Sequence, residues 1–129
     1  MTTDDRGSAV VEFVLVSVLV VALVAAVLQL ALALHIRNTL VAAASEGARM
    51  AATTNRSPAD GAVHTSRLIR ATLPDAYADE VTGGYEDVGG VPTVVVEVRA
   101  QLPVLGWIGP GDTLVVKGHA LDEASVVGR

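Results

Sequence analysis

The groups on this chain that could transfer protons or hold a metal are His35, His64 and His119 together with fourteen carboxylates. Their spacing fits no hydrolytic zinc site, since no H-E-x-x-H occurs, and the absence of cysteine removes thiolate ligands, thiol nucleophiles and disulfides. A serine nucleophile on a sharp turn would need G-x-S-x-G, which is also missing. The glycines of "GGYEDVGG", Gly83 to Gly90, could suggest a phosphate loop, but the lysine and hydroxyl residue that such a loop requires do not follow. These patterns predict a protein that is not an enzyme and needs no cofactor or metal. One residue does demand a chemical explanation. In "DRGSAVVEFVLV", Glu12 stands at the lip of an apolar run, where a carboxylate is costly unless it is paired or reaches the interface.

The element that positions Glu12 is a 22-residue stretch, Phe13 to Leu34, without a charge and with only Ser17 and Gln29 as polar side chains. As a helix it would measure about 33 Å, enough to cross a hydrocarbon core of about 30 Å. A secretory signal peptide is the first alternative, with "ALA" at Ala31 to Ala33 imitating its cleavage site. The run is too long for that, and the flank "MTTDDRGSAVVE" holds three acids against Arg6 alone. A plain single-pass anchor fits the length but leaves Glu12 unexplained. Nothing stops the helix after Leu34, so one helix is expected from about Ala9 to Thr53, roughly 65 Å long, its second half a stalk outside the membrane.

If the chain is cut between Gly7 and Ser8, it begins "SAVVEF", with Glu12 fifth and an apolar helix directly after. That arrangement resembles type IV pilins. The resemblance implies a prepilin peptidase that removes a short leader after glycine, and a fifth-residue glutamate that pairs with the new amino terminus as subunits pack. An ammonium created by cleavage would compensate a carboxylate at low dielectric. Further on, "VAAASEGARMAA", Val41 to Ala52, taken together with "RGSAVVEFVLV", is similar to the TadE-like minor pilus proteins of the tight-adherence (Flp) system. The likeness covers about the first 52 residues. It implies an assembly role for Glu12 and Phe13, and as partners the membrane, the prepilin peptidase, other pilin or pseudopilin subunits and the pilus assembly platform. It also implies an extracytoplasmic C-terminal domain. Charge counting points the other way, because Arg37, Arg49 and Arg56 follow the span and only Arg6 precedes it.

The "EGAR" segment, Glu46, Gly47, Ala48 and Arg49, also has a direct physical reading. Small residues recur four apart at Ala43/Gly47, Ala44/Ala48, Gly47/Ala51 and Ala48/Ala52, which lets another backbone approach closely. The expected neighbour is a second subunit or the chain's own sheet. The alternative is an alanine-rich solvated helix bearing a Glu46–Arg49 surface pair.

Beyond it, Ser57 and Pro58 predict an N-cap and first position, opening a short helix with Ala59, Ala62, Val63, Ser66, Ile69 and Leu73 on one face and ending at Pro74. "GGYEDVGG" predicts a turn-rich connection with a weak strand near Val81 to Tyr85. Thr93 to Leu102 alternates as a half-buried strand, with Val94, Val96, Val98, Ala100 and Leu102 facing one way. Asp112 to Leu121 is its partner, and the loop between them presents Trp107 and Ile108 either as a contact surface or as a tip folded over the sheet.

The expected architecture is therefore α+β and pilin-like: a leader over 1–7, a transmembrane and stalk helix over 8–53, and a small domain over 54–129. That domain holds a short helix and an antiparallel sheet of two or three strands. A net charge of -5, a pI near 5.0 and nine scattered basic residues argue against nucleic acid. The function expected is a minor pilin or pseudopilin-like structural subunit. The alternative is a single-pass membrane protein whose tail binds a soluble partner in secretion or regulation.

Overall fold

Small residues decide how this chain packs. The computed structural model describes residues 2–53, 55–101 and 113–121, with side chains from Asp5 onward. Helix α1 runs Thr2–Ala51, α2 runs Pro58–Thr72, a 3-10 turn covers Asp75–Ala78, and strands β1 (Glu80–Val88), β2 (Val91–Gln101) and β3 (Thr113–Leu121) follow. The α+β architecture expected above is present. Trp107, Ile108, Leu102 and Asp112 lie outside the described residues. Helix α1 begins earlier than the expected Ala9, because nothing in the polar flank breaks it and acidic residues suit the positive end of a helix.

The chain divides into two compact units, Met1–Leu32 and Ala33–Arg129, with the boundary inside α1. In the first, the helix leaves its large side chains open: Val10, Leu15, Leu23 and Leu30 are each more than 60% exposed. By length and composition α1 is able to cross a membrane.

In the second unit the strands form a meander in the order β1-β2-β3, antiparallel throughout. Residues paired across strands share a face. Val96, Val98 and Ala100 of β2 are buried with Val116 of β3 against Ile36, Leu40, Ala44 and Ala48 of α1 and Ile69 of α2, and Val94 is buried with Ala51 and Ala52. The opposite face carries Glu97, whose carboxylate accepts from Arg99 Nε at 2.6 Å and lies 4.0 Å from Lys117 Nζ. It also carries His119, which reaches Glu86 across the central strand at 3.5 Å.

Two expectations are corrected. "GGYEDVGG" is mostly strand: β1 pairs with β2 from Glu80↔Arg99 to Val88↔Val91, and only Gly89 and Gly90 turn. Both have positive φ, 61° and 84°, as a two-residue hairpin with a mirror-image turn requires. The buried face of α2 is Gly61, Thr65 and Ile69, whereas Val63 is exposed, because α2 packs on a neighbour close enough to favour small side chains over bulky ones. Its start is as expected. Ser57 caps it and Pro58 opens it, with Asp60 N–H donating to Ser57 Oγ at 3.2 Å and Ser57 N–H donating to Asp60 Oδ2 at 2.9 Å.

Candidate assembly site

Gly7, Ser8, Glu12 and Phe13 all lie within α1 and are exposed, Phe13 to 74%. Four residues separate Ser8 from Glu12, which puts them on one side of the helix, one turn apart. Among the described residues Glu12 has no ion-pair partner, and a Cβ added at Gly7 would meet nothing within 4 Å. This end of the helix is therefore open: one carboxylate at the edge of an apolar surface, without a counter-charge among the described residues.

The second segment is closed. Gly47 and Ala48 are buried, while Glu46 and Arg49 are exposed and not paired with each other among the described residues. The neighbour of Gly47 is α2, neither of the two partners expected. A Cβ at Gly47 would collide with Thr65 Oγ1 and come within 2.6 Å of the Gly61 carbonyl oxygen, and one at Gly61 would sit 2.7 Å from both Ala51 Cβ and the Gly47 carbonyl oxygen. The Thr65 hydroxyl, fully buried, donates to the Ala43 carbonyl at 3.2 Å. The two backbones thus meet glycine to glycine, with one hydroxyl satisfied at the contact.

The same logic continues into the sheet. Gly83, Val96 and Gly118 occupy one row across the three strands. A Cβ at Gly83 would strike the backbone of Pro58 at the start of α2, and one at Gly118 the backbone of Ala44 and Ser45 in α1. The α1 residues after Leu32 therefore lie on β3, α2 lies on β1, and Val96 is fully buried between them. Sequence reasoning missed Gly61, Thr65, Gly83 and Gly118. The first two carried a signal, because Gly61–Thr65–Ile69 repeats at four like Ala43–Gly47–Ala51; the last two align only once the register is known.

Charge plays a smaller part in this unit. The Ser57 backbone N–H, and then its hydroxyl, hold the Asp60 carboxyl below its ordinary value, while Glu97 raises the Arg99 guanidinium above its own. Both are surface groups. Among the described residues no three His, Asp or Glu side chains gather as metal ligands would.

A family model of TadE-like proteins matches residues 7–49, from Gly7 through the whole of the "EGAR" segment. This N-terminal segment is similar to TadE-like proteins. No curated protein and no solved structure matches the chain. The match spans 43 of the 129 residues and ends before α2 and the sheet. The matched residues include both the open end with Glu12 and the closed one with Gly47.

Proposed function

We propose that the chain is a minor-pilin or pseudopilin-like structural subunit of a tight-adherence pilus. A prepilin peptidase cuts it after Gly7, residues 13–34 hold it in the cytoplasmic membrane as a single pass, and the domain after the span lies outside the cytoplasm. The observation that carries the reading is the TadE-like match opening at Gly7, five residues before a carboxylate that is unpaired among the described residues, at the edge of an apolar helix. Cleavage would turn the Ser8 nitrogen into an ammonium one helical turn from Glu12. In a packed filament or assembly platform, the carboxylate of one subunit and the ammonium of its own or a neighbouring one neutralise each other in an environment where either alone is costly. Phe13 adds apolar surface beside that pair.

Glu12→Val tests this. A carboxylate is not favourable for insertion, costing up to about 2.5–3.5 kcal/mol at a helix centre and less near the interface. The variant therefore reaches the membrane at the parent's level, and insertion is the internal control. Co-purification with the other pilus components falls, since Ser8 has lost its counter-charge. A Glu12→Val protein recovered with them as well as the parent reduces Glu12 to an ordinary interfacial charge.

A further inference from the structure

The two polar side chains of the apolar run have no role in the reading above. Ser17 and Gln29 are twelve residues apart, three steps of four, so they lie on one inclined row of the helix with Val21 and Ala25 between them. They are also the only half-buried side chains from Asp5 to Leu32; every other described residue there is exposed. Ser17, Val18, Val21, Ala22 and Ala25 line a shallow groove. The side-chain hydrogen bonds among the described residues involve neither. Gln29 lies about 7.5 Å inside the end of the run, further than its two methylenes carry an amide. In hydrocarbon, an amide without a partner is strongly disfavoured.

We propose that this face, Ser17, Val21, Ala22, Ala25 and Gln29, is a membrane interface with a second copy of the chain, anchored by a Gln29–Gln29 amide pair. It rests on residues 13–34 crossing the membrane. The occupant follows from the chemistry of the anchor. Copies of one chain insert in one orientation, so identical residues meet at identical depth. The glutamine amide, both donor and acceptor, is complementary to itself. Alanines beside it let the backbones approach, which is what helix association in lipid requires. A serine hydroxyl can turn back to its own helix, so Ser17 plays the lesser part.

The chain has no cysteine, so single cysteines can be placed at will in the full-length protein. In membranes holding this chain alone, Val21→Cys and Ala25→Cys give disulfide-linked dimers on mild oxidation, while Leu23→Cys and Val27→Cys, on the opposite side of the helix, give few. Gln29→Leu added to Ala25→Cys lowers dimer yield about three- to tenfold, the range measured for hydrogen bonds between membrane helices. Ser17→Ala lowers it less. Alkaline extraction runs alongside: a chain washed out of the membrane defeats the spanning reading, whereas a retained chain isolates the pairing claim. Equal cross-linking around the helix, or a Gln29→Leu protein that dimerises like its parent, overturns the proposal. So does the appearance of dimers only when other pilus components are supplied, since the amide's partner would then be foreign.

Discussion

Helix α1 is a single helix with two different surfaces. Before Leu32 its surface is largely valine and leucine left open, and Glu12, the last charge before the apolar run, has no ion-pair partner among the described residues. After Ala33 its buried face opens with Ile36 and Leu40 and then turns to alanine and glycine, with Ala44, Ala48 and Ala51 buried at the level of a core. Hydrophobicity alone would have ranked these halves the other way, with the greasy half inside. Bulky apolar residues suit a solvent that is itself apolar, where burial against protein gains little, whereas small residues suit close backbone contact with a second helix and a sheet. The first part therefore leaves its apolar side chains open, as a span facing lipid would, and the second packs on its own domain.

This contrast is broken most severely at the glycine row. Gly118→Val pushes a branched side chain into the backbone of Ala44 and Ser45, where no rotamer can yield, so it costs at least the upper end of the about 1–3 kcal/mol usual for overpacking. Limited proteolysis of the detergent-solubilised full chain should show residues 33–121 lost as a resistant fragment, with membrane insertion unchanged. Gly47→Leu follows, at about 2–3 kcal/mol, because one of the obstructing groups is the Thr65 side chain, which can move, while the Gly61 carbonyl cannot. A Gly47→Leu protein as protease-resistant as the parent would mean that α1 and α2 separate without consequence.

Thr65→Val keeps the shape but removes the hydroxyl that donates to Ala43, and about 1 kcal/mol should be lost by hydrogen exchange. The smallest effect sharpens the electrostatics. Asp60 is held below its ordinary pKa by Ser57, so its contribution is complete above the ordinary carboxylate range and is lost as pH falls through the lowered value. Asp60→Asn should accordingly be slightly less stable than the parent at neutral pH, with the gap closing in acid. In the first unit, Leu23→Ala should leave all these measurements on residues 33–121 untouched.

What could be read in advance follows the same division. The span, β2 and β3 were legible because large apolar residues in a long run, or alternating at period two, carry strong signals, and Ser57-Pro58 announces a helix start. The face of α2 was not, since Gly61 and Thr65 are buried by proximity to Gly47 and not by their own hydrophobicity. Strand β1 was legible only as a weak strand near Val81 to Tyr85, because Gly83 and Gly84 look like a turn, whereas Gly83 lets the backbone of Pro58 approach. For the candidate site, the stripe through Gly47 was visible in its spacing, but its partner was not, because a small residue says that something comes close without saying what.

The central claim is that this is a processed, pilin-like subunit, and the mature N-terminus tests it most directly. Intact-mass and N-terminal peptide measurements on the full chain, expressed where the cognate prepilin peptidase is present, should find Ser8 as the first residue, and Gly7 replaced by a bulky residue should retain the leader. A wild-type protein that keeps residues 1–7 in those cells, or is cut near Ala33, contradicts the account.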